Sequence, residues 1–321
     1  MDAPAAPDVS VITPVWNAAE WVSHAIHSVQ AQEGVTWEML IVDDASSDDT
    51  GEVVQKIARE DPRIRYVALA ENGGPSRARN AALDLAAGRF VAVLDDDDQM
   101  APERLQRLIA VADATGADLV VDNMMRVADH PGGDVLGSFL SFGDDFEGGS
   151  MEIDLRTYLD PASEQRFGAG LGFLKPLFRR EMLDELGLRY DETLRNTEDY
   201  FLVAHALANG ARMLLLRDAG YFYTQRQGSL SYRLSGDRAQ AICDAFSAFY
   251  ARYTDHFDAA TAKAAAAQAQ TRANALAFAR LVDSLKAVRP DKVAGTLAKY
   301  PSSVPHMARE LMRIAREKLS A

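Results

Sequence analysis

Short apolar runs alternate with helical patterns over the first 125 residues of the chain. These runs are apolar on both faces, which is typical of strands covered by helices on both sides of a sheet. Strands alternating with helices favour a parallel α/β architecture. The pattern therefore predicts a Rossmann-like, mainly parallel sheet flanked by helices, with strands at Val9–Thr13, Glu38–Val42, Ile64–Ala68, Phe90–Leu94 and Leu119–Val121.

Residues at the ends of the helical segments agree with this architecture. Asn17 and Asp48 can cap the first and second helices. Pro75 suits the first turn of the third helix, and Gly88 suits its C-terminal stop. Strands and helices thus predict one α/β fold.

The second half of the chain has a different pattern. From His130 to Gly172 it consists largely of glycine-rich and acidic loop sequence, and long loops in compact domains are usually functional lids or disordered. Helices are predicted from about Arg180 to Leu186 and from Glu198 onward. After Ser235 the pattern is almost wholly helical, which predicts a helical C-terminal extension.

Composition restricts the class of protein. The 321 residues are 48% hydrophobic, which allows a sizeable core. The net charge of −13 argues against nucleic-acid binding, although the segment from Thr261 onward carries +7. Cys243 is the only cysteine, the N-terminal residues lack a signal-peptide core, and no apolar run reaches the roughly 18 residues of a spanning helix. We therefore expect a cytoplasmic protein.

Four adjacent aspartates, Asp95 to Asp98, directly follow the predicted strand Phe90–Leu94. In open α/β sheets, ligands bind in the crevice at this end of the strands. Four carboxylates repel one another there unless a cation neutralises them, and oxygen ligands favour Mg²⁺ or Mn²⁺. The run therefore predicts a metal site, with a solvated acidic turn as the alternative.

A second acidic cluster, residues 43–49, follows another predicted strand. Both acidic strand ends point into one crevice, where carboxylates can accept hydrogen bonds from a base or a ribose. Helix capping accounts for Ser46 to Asp48 but does not require Asp43 or Asp44. Between the clusters, Arg79 can bind phosphate, support the aspartates, or do both.

The order of these motifs resembles the family 2 glycosyltransferases with the GT-A fold. Four segments carry the resemblance over residues 9–105: Val11-Ile-Thr-Pro-Val-Trp-Asn17, Ile41-Val-Asp-Asp-Ala-Ser-Ser-Asp48, the stretch from Asn72-Gly-Gly to Ala78-Arg-Asn80, and Val93-Leu-Asp-Asp-Asp-Asp98. The resemblance implies an inverting, metal-dependent transfer of one sugar from a nucleotide-diphosphate sugar, with a UDP-sugar favoured, to a glycan or lipid-linked acceptor. It further implies a role in cell-surface or exopolysaccharide assembly.

The resemblance extends to about residue 235 and implies a domain organisation. Residues 1–235 form the catalytic domain, with nucleotide-sugar binding in 1–125 and the acceptor side in 126–235, and residues 236–321 form the helical region. The chain lacks the Gln-x-x-Arg-Trp motif and the transmembrane helices of the family's processive synthases. Addition of a single sugar is therefore expected.

The resemblance also implies roles for individual residues. Trp16 stacks on the nucleobase, although without the family a core aromatic is an equal interpretation. Asp97, together with Asp95, binds Mn²⁺ or Mg²⁺. The residues implied in nucleotide-sugar binding are Pro14, Trp16, Asp43, Asp44, Arg79, Asp95, Asp96 and Arg226. Many members have histidine where Gln227 stands, which puts a metal or phosphate contact at that position in doubt.

Glu198 and Asp199 resemble the family's Glu-Asp pair near the acceptor. An inverting transfer needs one carboxylate to remove the proton of the attacking hydroxyl, and Asp199 is predicted to be this base, with Glu198 beside it. The alternative is a purely structural helix N-terminus, capped by Thr197 and favoured by acidic residues.

The last predicted helix is basic and amphipathic. Its arginines lie on the face opposite its apolar residues. Such a helix can lie on the inner face of the cell membrane, or its apolar stripe can pack on the protein itself or on a second subunit in a homodimer. The basic face contains Arg309, Arg313 and Arg316, and the apolar face Met307, Leu311, Ile314 and Ala315.

Two other functional classes use clustered acids on such a fold. A metal-dependent nucleotidyltransferase or phosphohydrolase is disfavoured because no Gly-x-x-x-x-Gly-Lys or Asp-x-Asp-x-Thr follows a strand. A non-catalytic binding protein is disfavoured because both acidic pairs are intact.

Overall fold

The computed structural model describes residues 6–128, 134–141, 146, 149–226 and 235–320. The chain forms two compact units. Unit 1 comprises Met1–Tyr158 and Ala162–Gln227, and unit 2 comprises Leu159–Pro161 and Gly228–Ala321.

Unit 1 is built on one mixed sheet. Its described strands are β1 (Val9–Val15), β2 (Trp37–Asp43), β3 (Ile64–Ala68), β4 (Phe90–Val93), β5 (Gln99–Met100), β6 (Leu119–Val127), β7 (Val135–Ser138), β8 (Ser150–Ile153), β9 (Leu177–Arg179) and β10 (Met213–Thr224). Their order is β3-β2-β1-β4-β9-β6-β10-β5, with β7 beside β6 and β8 beside β10. Strands β3, β2, β1 and β4 are parallel to one another, as are β6 and β10. The predicted mainly parallel α/β sheet is confirmed.

Helices flank this sheet and form most of the rest of the chain. They are α1 (Val22–Gln30), α2 (Thr50–Glu60), α3 (Pro75–Leu83), α4 (Arg104–Thr115), α5 (Leu155–Leu159), α6 (Ala162–Phe167), α7 (Arg180–Glu185), α8 (Glu198–Ala208), α9 (Gly236–Tyr253), α10 (Ala259–Lys286), α11 (Pro290–Lys299) and α12 (Val304–Ser320). The predicted helical C-terminal extension is therefore present as α9 to α12.

The core aligns the strand ends that carry the acidic residues. Ile12 of β1 lies opposite Leu40 of β2 and Val93 of β4, and all three side chains are at most 1% exposed. Burying each such aliphatic side chain contributes about 1.5–3 kcal/mol. Contacts among these buried side chains help to hold the register in which the strand ends are aligned.

The prediction that Asn17 caps the first helix is wrong. Helix α1 begins only at Val22, and no side chain caps it. Asn17 instead adopts a positive φ of 51°, and its side-chain oxygen accepts a hydrogen bond from the backbone N–H of Ser47 at 2.8 Å. It ties the end of β1 to the loop after β2. Asp48 accepts from the N–H of Thr50, the first residue of α2.

Gly88 is not the C-terminal stop of the third helix, since α3 ends at Leu83. Its N–H donates to the Ser10 hydroxyl at 2.8 Å. A Cβ atom at this position would lie 2.4 Å from the backbone nitrogen of Ser10. Glycine therefore permits close approach to β1 here. Pro75 is the first residue of α3, as predicted.

Unit 2 packs through α10. Met307 of α12 is buried against Ala277 and Leu281 of α10, so this part of the apolar stripe packs on the protein itself. Leu311 and Met312 are 39% and 53% exposed. None of the helices in the described part of the chain has the length and hydropathy needed to cross a membrane.

Candidate active site

The ends of β1 and β4 bring Trp16 and Asp96 into contact. The backbone N–H of Trp16 donates to Asp96 Oδ2 at 3.2 Å, while the Trp16 side chain is 52% exposed. The interpretation of Trp16 as a core aromatic is therefore wrong, and its indole face is accessible for stacking. Pro14, two residues earlier, lies opposite Val42 of β2.

Asp43, at the end of β2, is buried and accepts two hydrogen bonds. Its Oδ1 accepts from the backbone N–H of Ser46 at 2.8 Å, and its Oδ2 accepts from the Tyr66 hydroxyl at 2.6 Å. Burial and the neighbouring Asp43 carboxylate raise the pKa of Tyr66, so the phenol remains a donor. Asp43 thereby connects the start of the β2–α2 loop to β3.

Asp44 is equally buried and holds the glycine turn before α3. Its two oxygens accept from the backbone N–H groups of Gly73 and Gly74, each at 2.7 Å. Gly74 has a φ of 93°, a conformation that glycine adopts at little cost. Both carboxylate oxygens of Asp44 are thus engaged by the protein itself.

The four aspartates after β4 have different surroundings. Asp98 is fully buried and accepts from the Tyr221 hydroxyl and the Thr224 N–H of β10, so its partners are tertiary contacts 123 and 126 residues away in the chain. Asp97 Oδ2 lies 3.3 Å from Arg226 Nη1. Burial and the nearby Asp95 charge raise the pKa of Asp97 to about 6. Among the described residues, Arg226 is the cation paired with Asp97, whose side chain remains 22% exposed.

Five charged side chains, of which Arg79, Lys175 and Glu198 are buried, form a network that joins Asp95 to the start of α8. Arg79 donates to Asp95 Oδ1 at 2.7 Å and also to Glu198. Lys175 Nζ lies 2.9 Å from Asp95 Oδ2 and 2.6 Å from Asp199 Oδ2. Although burial acts in the opposite direction, the two cations lower the pKa of Asp95. The network thus brings together the predicted donor and acceptor acids.

Arg79 occupies an internal position in this network. Its side chain is only 3% exposed, and its charge is balanced by the surrounding carboxylates. Of the two predicted uses, the structure shows the support of the acids. Its predicted contact with the nucleotide sugar would need access that this side chain lacks in the described structure.

Glu198 and Asp199 begin α8, but not through a capping side chain. Thr197 has a φ of 71° and makes no side-chain cap, so the purely structural alternative lacks its hydrogen bond. Burial raises the pKa of Glu198 against the opposing effect of Arg79. Among the described residues, Glu198 Oε2 is buried without a hydrogen-bond partner. Ion pairs with Arg79 and Lys175, and not a capping side chain, therefore hold the two acids at the start of α8.

The carboxylate oxygens at this site fit a divalent cation whose remaining ligands are supplied by a substrate. Within the described ranges, no three His, Cys, Asp or Glu side chains are arranged to hold an ion by themselves. Mg²⁺ is commonly held by one or two carboxylates plus substrate phosphates, which matches the partly exposed Asp97. Asp95, the second predicted ligand, is instead paired with Arg79 and Lys175.

Sequence reasoning missed Lys175. It lies between Leu174 and Pro176 in an otherwise apolar run, and a single lysine in such a run was the available signal. Arg226, which was predicted, lies beside Asp97 and has its guanidinium carbon 5.0 Å from the Trp21 ring centroid. Gln227 lies outside the described residues.

Solved structures with this architecture are glycosyltransferases. TarS from Staphylococcus aureus, in complex with UDP-GlcNAc, has a TM-score of 0.60 at 21% identity over 92% of both chains. The mannosyltransferase PcManGT from Pyrobaculum calidifontis, in complex with GDP-Man and Mn²⁺, has a TM-score of 0.58 at 20% identity, covering 98% of this chain and 81% of that chain. The chain therefore has the GT-A fold.

The family follows from sequence. Residues 10–186 match the model described as Glycosyl transferase family 2. The chain is 41% identical over 248 residues to the succinoglycan biosynthesis protein ExoO of Rhizobium meliloti. These residues cover 77% of this chain and 69% of that relative. This chain belongs to glycosyltransferase family 2 and is a glycosyltransferase.

Proposed function

We propose that the enzyme is an inverting, metal-dependent transferase that moves one sugar from a nucleotide-diphosphate sugar to an acceptor hydroxyl in polysaccharide assembly. The observation that carries this proposal is the buried network linking Asp95, beside the donor acids, to Asp199. A direct displacement needs a leaving-group site and a base on opposite sides of one sugar carbon, and the network supports both within one cluster. Similarity to a succinoglycan biosynthesis protein supports the pathway class.

On the donor side, Trp16 would stack on the base, while Asp43, Asp44 and Asp96 shape the surrounding pocket. We favour a uridine nucleotide because TarS is solved with UDP-GlcNAc. Arg226 would contact the diphosphate, since a guanidinium matches phosphate geometry. Asp97 would hold Mn²⁺ or Mg²⁺, which supplies positive charge to the departing diphosphate.

On the acceptor side, Asp199 would act as the general base. The acceptor O–H bond breaks as its oxygen bonds to the sugar carbon, and the proton passes to Asp199. The bond from that carbon to the diphosphate oxygen breaks, and the nucleoside diphosphate leaves with its electron pair. Glu198, beside Asp199, would support the base by holding Arg79 in the ionic network.

A group of aromatic side chains supports a glycan acceptor. The Phe139 ring lies 5.7 Å from Phe173 and 5.8 Å from Tyr223, measured between centroids. Phe173 is 48% exposed and lies two residues before Lys175. Exposed aromatic faces beside a catalytic centre suit the apolar face of a sugar ring.

We further propose that unit 1 carries the catalytic site, and that α12 contacts the inner face of the cell membrane when the acceptor is lipid-linked. Leu311 and Met312 are exposed on a helix that also exposes Arg309 and Arg313. Apolar side chains flanked by arginines suit an anionic lipid surface.

Two substitutions test the catalytic proposal. Asp97→Asn should abolish Mn²⁺-dependent UDP binding and lower turnover by about 1,000-fold, because the diphosphate loses its cation. Asp199→Asn should keep UDP binding and lower turnover by about 100-fold or more, because only the proton acceptor is lost. Calorimetry measures UDP binding, and chromatography measures the nucleoside diphosphate released from alternative donors, which is UDP from UDP-GlcNAc and UDP-glucose and GDP from GDP-mannose.

The products and a third variant complete this experiment. Release of inorganic phosphate or pyrophosphate instead of a nucleoside diphosphate would indicate a phosphohydrolase or nucleotidyltransferase. Asp113→Asn, which removes a surface partner of Arg89, should behave as wild type in both assays. Undiminished UDP release by the Asp199→Asn enzyme would exclude Asp199 as the base.

A further inference from the structure

Lys175 is a buried ammonium group held between two carboxylates. Its side chain is 8% exposed, and its Nζ lies 2.6 Å from Asp199 Oδ2 and 2.9 Å from Asp95 Oδ2. Burial alone would lower the pKa of Lys175, but the Asp199 and Asp95 carboxylates raise it above its ordinary value. A permanently charged lysine therefore bridges the acid after β4 and the proposed base.

The backbone of Lys175 is fixed by a second buried ion pair. Its carbonyl oxygen accepts from Arg104 Nη2 at 2.7 Å. Arg104 is fully buried and pairs with Asp122, with 2.9 Å between Nη2 and Oδ1. Because Arg104 and Arg107 both pair with the fully buried Asp122, the arginine that supports the Lys175 carbonyl is itself fixed in place.

Lys175 and Arg79 both pair with Asp95, but at the start of α8 they pair with different carboxylates. Arg79 Nη1 is 3.7 Å from Asp199 Oδ1, beyond hydrogen-bond distance, and it donates to Glu198 instead. In the described part of the chain, Lys175 is thus the side-chain donor to Asp199. It occupies Oδ2 and leaves Oδ1 as the oxygen available to a substrate.

We propose that Lys175 is a positioning residue for glycosyl transfer. It orients Asp199 so that Oδ1 receives the acceptor proton, and it couples this orientation to Asp95 beside the donor acids. This inference rests on the proposed role of Asp199. After Asp199 has taken the proton and become neutral, Lys175 remains paired with Asp95, so its buried charge is compensated throughout the reaction.

The test compares Lys175→Met with the wild type, alone and combined with Asp199→Asn. Lys175→Met should lower kcat for UDP release by about 100-fold, in the range of a lost general base, because Asp199 is no longer oriented. The Kd of UDP with Mn²⁺ should stay within about twofold of wild type. In the Asp199→Asn enzyme the same change should lower kcat by less than about twofold, since residues acting as a unit are non-additive.

Arg226→Met is the matched control, because it removes another cation of the site, the one beside Asp97. It should weaken UDP binding by about tenfold, as expected for a lost charge-assisted contact of about 1.4 kcal/mol. If Lys175→Met weakened UDP binding to the same extent, Lys175 would be a donor-binding residue and the proposal would be wrong. Unchanged kcat, or independent multiplying effects of Lys175→Met and Asp199→Asn, would also overturn it.

Lys175→Arg keeps the inference testable if the methionine variant does not fold. It retains the charge, so its thermal unfolding midpoint should stay close to that of wild type, while kcat falls about tenfold because a guanidinium cannot reproduce the ammonium geometry. Wild-type kcat in a folded Lys175→Arg enzyme would contradict the proposal. Full activity of Asp199→Asn alone would instead reject the base, and thereby the proposed function.

Discussion

The ends of β2 and β4 both carry adjacent aspartates, but the protein compensates their charges in different ways. After β2, Asp43 and Asp44 accept four hydrogen bonds from three backbone N–H groups and one phenol. After β4, Asp95 faces two buried cations, whereas the cation paired with Asp97 among the described residues is Arg226, at 3.3 Å.

This difference separates acids that shape a pocket from an acid that can take part in chemistry. Carboxylates that accept from fixed N–H groups are satisfied without an ion, so Asp43 and Asp44 organise their loops. Burial and the Asp95 charge raise the pKa of Asp97 to about 6, so its ionised form gains from an added cation. Aspartates at the ends of two strands of the same sheet thus lie in different electrostatic environments.

The largest expected effect is a loss of stability when Asp44, which follows β2, is replaced. Asp44→Ala leaves the N–H groups of Gly73 and Gly74 without their acceptor, and each lost bond to a charged group costs about 1.5–3 kcal/mol. We expect the free energy of unfolding to fall by about 3 kcal/mol, measured by urea denaturation. Asp49→Ala, which removes an exposed acid without a capping hydrogen bond, is the control. Equal losses in the two variants would contradict this account of Asp44.

The second prediction concerns how Asp97, which follows β4, makes the free energy of unfolding depend on pH. A raised pKa means that Asp97 favours folding when protonated, and this contribution is lost as the pH rises through about 6. In EDTA at about pH 7.5, Asp97→Asn should therefore be more stable than wild type, by at most about 3 kcal/mol for a shift of two pKa units. The difference should narrow toward about pH 4, as followed by urea denaturation across this range.

A surface aspartate provides a control of opposite sign. The hydrogen bonds from Arg89 lower the pKa of Asp113, so its contribution is present at neutral pH and lost on acidification. Asp113→Asn should therefore be slightly less stable than wild type at neutral pH. If Asp97→Asn, like Asp113→Asn, lowered the free energy of unfolding at neutral pH, the inference that burial and the Asp95 charge disfavour ionised Asp97 would be wrong.

The smallest expected effect comes from removing the Tyr66 hydroxyl, which contacts Asp43 at the end of β2. Tyr66→Phe removes the hydroxyl that donates to Asp43 Oδ2 at 2.6 Å. Loss of one partly buried hydrogen bond should lower the free energy of unfolding by about 1 kcal/mol, and UDP binding should persist because Ser46 still holds the carboxylate. Thermal unfolding and calorimetry measure the two quantities. Loss of UDP binding without loss of stability would show that Asp43 acts directly on the nucleotide.

Local sequence patterns predicted five of the ten described strands, β1 to β4 and β6, and both acidic strand ends, because strand burial and motif order are encoded by neighbouring residues. They did not predict the partners of those acids. The contacts of Asp95 with Lys175, and of Arg79 with Glu198, join segments about 80 to 120 residues apart. Asn17 and Gly88 were misassigned for the same reason, since their roles depend on tertiary contacts with Ser47 and Ser10.

The buried ionic network also has a consequence for synthesis of the protein. Its members are separated in the chain by up to 120 residues, from Arg79 to Asp199. A nascent chain that emerges at about 5–20 residues per second exposes Arg79 and Asp95 several seconds before Asp199 leaves the ribosome. Until Lys175 emerges, the two have only each other as partners within the network, so the assembled centre forms late. With Asp199 as the proposed base, we expect the polypeptide to gain activity only after α8 has been translated.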